Sequence, residues 1–170
     1  MPKITSNSVS LAGEFAVLSQ LALRGFDANM TLGHTKGVDI LVSNPISHQM
    51  YQLEVKTNFE NSRNQPSESK LFGKSVSGWI MNKKQETIIA PNLFYCFVNI
   101  SKTTSAFKFY IVPSAVVAQY IKESHTYWLR ADKKHRDSDM RQFRMGIKGE
   151  KYLIPTATAE QYENNWDFKI

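Results

Sequence analysis

Cysteine is almost absent from this chain: one, Cys96, in 170 residues. That excludes a disulfide framework. The position of Cys96 within the apolar run 93–98 predicts a small buried hydrophobe, with no base nearby in sequence to make it a nucleophile. The four histidines (His34, His48, His125 and His135) lack the spacing of a zinc site. No stretch reaches the roughly 20 apolar residues that a membrane span needs, and no secretory leader is read at the start, so the expectation is cytoplasmic residence without a membrane partner. There is no glycine-rich phosphate loop and no internal repeat. Acidic residues are also scarce over one long stretch. Residues 61–151 carry 16 Lys and Arg against 7 Asp and Glu, whereas residues 1–60 carry 4 against 5. A basic surface of that extent suits a polyanion such as nucleic acid. It disfavours a sugar- or nucleotide-handling metalloenzyme, whose small substrate needs no such field.

What is present is 42% hydrophobic content, enough for a core without disulfides, and one unusual pair of strands. Lys36-Gly37-Val38-Asp39-Ile40-Leu41-Val42 is followed, across the turn chemistry of Asn44-Pro45-Ile46-Ser47-His48, by Gln52-Leu53-Glu54-Val55-Lys56-Thr57. Alternation puts Glu54 and Lys56 on one face, with Leu53 and Val55 on the other. In an antiparallel hairpin Asp39 lies roughly opposite Glu54, so two acids and a lysine converge. Two adjacent carboxylates raise one another's pKa, and a lysine compensates only part of that. A divalent cation removes the conflict. Oxygen ligands with no Cys or His among them favour Mg2+ or Mn2+, and an ion held by so few side chains keeps water positions open for phosphate chemistry. The plainer alternative for Glu54-Val55-Lys56 alone is a solvated strand face.

Upstream, the run 10–24 reads as a helix capped by serines and ended by Gly25. Glu14 shares a face with Val17, Leu18 and Leu21, which points it at or beside the core. Alternatively it complements the positive end of the helix dipole.

Helix Gly-Glu, then Gly-x-Asp opening an apolar strand, then Glu-x-Lys on the next strand resembles the PD-(D/E)XK nuclease superfamily, in the arrangement of archaeal-type Holliday junction resolvases. The specific part of the resemblance covers about residues 8–57, and a looser part covers 93–120. It implies an α/β fold with a restriction-endonuclease-like core, a central mixed sheet flanked by helices. It also implies Mg2+ (or Mn2+) on Asp39, Glu54 and the Val55 carbonyl, Lys56 orienting or activating the attacking water, and Glu14 holding a second ion or a water on the first. The proline that names the motif is missing, since Val38 precedes Asp39. The implied activity is metal-dependent endonucleolytic cleavage of duplex or branched DNA, with a homodimer as the economical way to cut two strands. The rival is a non-catalytic DNA-binding or assembly subunit that keeps the fold.

The rest of the chain is read as one domain, with a core over about 8–124 and a basic, aromatic extension over about 125–170. A first strand is expected within 26–32, a mobile loop over 58–69, a helix over 77–89, strands over 93–100 and 107–112, and a helix from Pro113 to about Ile121. Lys36, Arg63, Lys70, Lys74, Lys133, Lys134, Arg136, Arg141 and Arg144 are the candidate nucleic-acid contacts. Over 127–145, Trp128 and the cations interleave in the manner of a backbone-binding, base-stacking surface. The alternative there is a solvated segment with Trp128 and Phe143 packed inward. Trp166 and Phe168 are expected to dock on the body.

Overall fold

Thr5 opens the first helix, its Oγ1 accepting the Ser8 N–H at 3.1 Å. The helix, α1 (Ser6–Ala22), buries Gly13, Val17 and Leu21 at four-residue spacing. This computed structural model describes residues 3–31, 37–60 and 67–169. The chain divides into two compact units: Met1–Ser62 with Asn92–Pro113 and Asn164–Ile170, and Arg63–Pro91 with Ser114–Glu163. The stretch 8–124, expected as one core, is therefore shared between them. Each unit is mixed or antiparallel sheet with few helices, and the first carries a five-stranded mixed sheet.

In the first unit the strands are β1 (Asp27–Met30), β2 (Ile40–Ser43), β3 (Met50–Glu60), β6 (Leu93–Ser101) and β7 (Phe107–Pro113), in the order β1-β2-β3-β6-β7. Only β3 and β6 run parallel. The β2–β3 turn forms where the sequence places it, with Asn44 Oδ1 accepting the N–H groups of Ile46 and Ser47 at 2.9 and 3.1 Å. One sheet face supplies Ile40, Val42, Leu53 and Val55 to a core that also contains Val17 and Leu21 of α1. β6 is buried at every position from Leu93 to Val98, as a central strand flanked on both sides is. Cys96 lies within it, fully buried, and burial pushes its thiol far above the usual range, so it is inert as a nucleophile. Trp166 and Phe168 join this core as expected, Phe168 stacking on Tyr51 at 4.3 Å and meeting Phe94 edge-on. The segment is anchored by Asn164 N–H to Phe109 O and by Asn165 Nδ2 to Ile111 O.

In the second unit β4 (Ser67–Ser69), β5 (Gly73–Asn82) and β8 (Met140–Gly146) form an antiparallel sheet, accompanied by α2 (Ser114–Ala131) and the short α3 (Ala159–Tyr162). The helix expected over 77–89 is mostly strand. Ser75, Ser77, Trp79 and Met81 are buried at alternate positions, and Trp79 pairs with Phe143 across the ladder. Period two decides the state, and only Lys83–Glu86 coils, as one 3-10 turn capped by Asn82. α2 outruns its expected end by ten residues or so, with Ser124 continuing the stripe buried at Val117 and Ile121. The loop expected over 58–69 is strand to Glu60 and again from Ser67, and 61–66 lie outside the described residues. No helix among the described residues is long and apolar enough to cross a membrane.

Trp166→Ala removes a side chain only 4% exposed in the first unit's core, and urea denaturation should show a loss of about 3–5 kcal/mol. A loss under about 1 kcal/mol would mean that the C-terminal segment does not support that core.

Candidate active site

Gly37, at φ +81, adopts the left-handed conformation that favours glycine and turns the chain toward β2. A Cβ there would stand 3.6 Å from Glu54 Oε2, so the turn runs directly beside that carboxylate. Two residues on, the Asp39 N–H donates to Leu53 O at 2.7 Å, although the ladder pairs Leu53 with Ile40. Two successive residues thus face one partner, as in a β-bulge. The bulge carries Asp39 past the simple opposition to Glu54 that a straight hairpin implies. Its Oδ2 accepts the Val55 N–H at 2.7 Å. A strand residue's N–H and C=O point to the same side, so the Val55 carbonyl faces the Asp39 side of β3 as well.

Glu54 alternates with the core residues Leu53 and Val55, yet it is itself only 5% exposed. Lys56 answers that burial: its Nζ lies 2.6 Å from Glu54 Oε1, with the lysine side chain about a third exposed. A carboxylate removed from water needs such a partner, because an unpaired buried charge is costly.

Glu14 enters from α1, and the reason it can lies one residue earlier. A Cβ on Gly13 would fall 1.9 Å from Thr57 Oγ1 and within 3.0 Å of the rest of that side chain. Only glycine lets the helix approach β3 this closely, and the mid-helix glycine costs about 1 kcal/mol of helix propensity in exchange. The close approach brings Glu14 within the fields of Asp39 and Lys56. Burial raises the Glu14 pKa first, and the Asp39 charge raises it further, against the lowering effect of Lys56. Asp39 is raised too, chiefly by burial and also by Glu54, while the Val55 N–H and Lys56 oppose the shift.

The site therefore brings together the four residues expected of it. Among the described residues no three His, Cys, Asp or Glu side chains stand close enough to hold an ion by themselves. The donors on offer are two carboxylates and a backbone carbonyl, all hard oxygen. That set fits a small divalent cation that retains much of its water.

The basic candidates fare unevenly. Lys36 and Arg63 lie outside the described residues. Lys70, Lys133 and Lys134 are exposed, Lys74 stands 3.9 Å from Glu150, and Arg136 donates to the Lys133 and His135 carbonyls. Arg141 leaves the set: it is 4% exposed, paired to Glu86, and donates to the Ser138 and Met140 carbonyls, so its charge is used within the fold. Arg144 lies over the Phe72 ring at 4.0 Å and donates to Gln142 Oε1. The aromatic members of 127–145 are also committed. Phe143 is fully buried, and Trp128 stacks on His135 at 3.9 Å and on His125 at 5.4 Å, so base stacking over this stretch is not supported. Sequence reading missed Asp137, which gathers Lys83, His125 and Arg141 and is held well below the usual carboxylate range by its hydrogen bonds from Lys83 and His125. No sequence spacing signals that node, since its partners come from three separate elements.

No protein-family model and no curated protein sequence matches this chain. Among solved structures it is similar to a bacterial homing endonuclease, I-Ssp6803I, with a TM-score of 0.49 and 9% identity over 97% of this chain and 91% of that one. A likeness of that size is silent on individual residues, and the chemistry rests on the side chains of this chain.

Gly13→Ala should destabilise by about 1–3 kcal/mol in denaturant titrations, since the new methyl meets Thr57. Gly13→Ala with Thr57→Ala should regain part of it, because only the Cβ contact at 2.9 Å remains. Equal loss in both would locate the constraint elsewhere. The raised carboxylates also set a pH dependence. The folded state holds these protons where the unfolded chain has lost them, so metal-free stability falls as pH rises from the ordinary 3.8 and 4.5 through the raised folded values. Asp39→Asn keeps an acceptor for Val55 and removes one such charge. In chelator it should melt above the parent at neutral pH, with the difference vanishing below about pH 3.5. A lower melting temperature at neutral pH would count against the strained acid cluster.

Proposed function

We propose that the first unit is a metal-dependent DNA endonuclease centre of the PD-(D/E)XK, restriction-endonuclease-like type, hydrolysing phosphodiester bonds. The observation that carries this reading is the arrival of Asp39, one residue before β2, beside Glu54 and Lys56 of β3, with Glu14 from α1, two of the acids raised chiefly by burial. Asp39, Glu54 and the Val55 carbonyl would hold Mg2+ or Mn2+. When bound, such an ion polarises the scissile phosphate and makes water more acidic.

The chain's own groups account for the rest. The Lys56 ammonium is held in place by Glu54 and is still partly open to solvent, so it can donate to an attacking water and to the phosphoryl oxygens that gain charge in the transition state. Glu14, with its pKa raised, suits a group that accepts a proton near the reacting centre. The exposed Lys70, Lys133 and Lys134 support a polyanionic substrate. One centre per chain makes a homodimer the natural unit for cutting both strands of a duplex or branched DNA, in the cytoplasm.

The second reading, a DNA-binding or assembly subunit without chemistry, draws on the Glu54–Lys56 pair, which neutralises one acid without any ion. Against it stand Asp39 and Glu14, whose raised pKa values a protein relieved of catalysis has no reason to keep.

The test is cleavage of supercoiled plasmid and of a four-way junction in Mg2+, Mn2+ or chelator, beside Lys56→Gln, which keeps a donor for Glu54 but no charge. Metal-dependent cutting should fall on the order of 100-fold in the variant, with metal affinity largely retained. Binding without cutting, alike in both proteins, would favour the non-catalytic subunit.

A further inference from the structure

In the second unit, residues 132–139 connect α2 to β8 and expose three cations close together, Lys133, Lys134 and Arg136. The same connection carries three acids, yet none of the cations makes an ion pair among the described residues. The acids are directed elsewhere. Asp132 Oδ1 accepts the Lys134 backbone N–H at 2.8 Å and so closes a turn. Asp137 faces Lys83 at 2.9 Å, His125 at 2.9 Å and Arg141 at 3.4 Å, all outside the connection. Asp139 lies at the far end, next to β8. The Arg136 guanidinium donates to the Lys133 and His135 carbonyls, which are neutral and leave its charge whole. Three positive charges therefore share one turn without a carboxylate to answer them, which calls for an anion from outside.

The turn is also pinned. The His135 ring stacks on Trp128 at 3.9 Å, and its Nδ1 stands 2.6 Å from the Trp128 carbonyl; a carbonyl only accepts, so Nδ1 donates. The His135 backbone N–H closes onto Asp132 O at 3.0 Å. With Asp137 held by its three partners two residues on, the backbone that carries the cations is ordered before a ligand arrives, and fixing it is not a cost of binding. The chemistry of the surface narrows the ligand. No large apolar side chain is exposed between Arg130 and Asp139. Stable attachment to a membrane takes an apolar anchor besides cations, whereas a duplex offers one phosphate charge per about 1.7 Å of its axis and needs only cations and donors.

We infer that the α2–β8 connection is a preformed grip for the phosphate backbone of DNA, with Lys133, Lys134 and Arg136 meeting phosphates and His135, stacked on Trp128, as the residue that positions them. The inference rests on the endonuclease reading for the choice of DNA as the polyanion. It adds that this contact is independent of base sequence, because the aromatic rings of the connection face one another and only charge and donors face outward.

The experiment measures fluorescence anisotropy of two labelled duplexes of equal length and unrelated sequence over a salt series, with Ca2+ replacing Mg2+ to hold cleavage back, together with plasmid cleavage in Mg2+ and thermal melting. Lys133→Gln with Lys134→Gln should weaken binding to both duplexes alike and reduce the slope of log K against log salt by about 2. His135→Ala should weaken binding by about 2- to 10-fold with the slope unchanged, and His135→Asn, whose Nδ2 can donate to the Trp128 carbonyl, should recover part of that loss. In every variant the effect on cleavage should fall on KM and leave kcat near that of the parent. An unchanged slope in the double lysine variant overturns the grip, as does a loss confined to one duplex. His135→Ala that melts lower but binds as tightly as the parent removes the histidine as a positioning residue. Retention of the parent on phosphatidylserine vesicles as strong as on DNA, and lost with the two lysines, would make the connection a lipid contact instead. If the parent binds DNA with the expected slopes and does not cut, the grip stands and the endonuclease reading falls; if it cuts while the variants match it, only the grip falls.

Discussion

The ion pair of Glu54 and Lys56 is the constraint on which the centre of the first unit depends. A carboxylate at 5% exposure sits on a strand whose neighbours on either side, Leu53 and Val55, belong to the core. The ammonium 2.6 Å away offsets a buried charge in the middle of the sheet. The pair also fixes what else the face can hold. Burial disfavours the charged form of Asp39, and Glu54 adds to that, against the opposing pull of the Val55 N–H and Lys56. The strain is concentrated at one spot and not spread along the hairpin.

Two glycines make that concentration possible by different means. Gly37 supplies a backbone conformation, the left-handed turn that delivers Asp39 beside Glu54. Gly13 supplies absence of volume, letting α1 approach Thr57 far more closely than any side chain allows. The helix then contributes Glu14 to a cluster otherwise built on strands. The sheet's other face repays these costs, since Ile40, Val42, Leu53 and Val55 pack with Val17, Leu21, Trp166 and Phe168 into a continuous apolar core. The polar cluster is tolerated because buried apolar residues surround it on both faces of the sheet.

Charge in the second unit obeys a different rule. Much of what reads in sequence as a cationic surface is consumed inside the unit: Arg141 by Glu86 and Asp137, Lys83 by Asp137, and Arg144 by Phe72 and Gln142. The cations that remain exposed, among them Lys70, Lys84, Lys122, Arg130, Lys133, Lys134, Lys148 and Lys151, are the ones with charge to offer a partner. A count of basic residues therefore overstates the field that a polyanion would meet, and burial decides which of them contribute to it.

The sequence by itself determined the hairpin and the identity of the cluster. Asn44 turn chemistry and the helical spacing of Val17 and Leu21 are local properties that survived folding, whereas the alternation around Glu54 did not, since Leu53, Glu54 and Val55 are all buried. The buried state of Cys96 and the docking of Trp166 and Phe168 were legible for the same reason, since apolarity is carried by the residue itself. What only the tertiary structure decided depends on partners distant in the chain. The stretch 73–82 follows period two, and pairing with β8 from some sixty residues away completes it as a strand. The bulge at Asp39 and the approach of Gly13 to Thr57 are likewise relations between elements. So is the burial of Arg141, whose guanidinium carries the same charge in the sequence whether it faces a phosphate or Glu86. Residue type sets which chemistry is available, and long-range packing selects the groups that remain free to perform it.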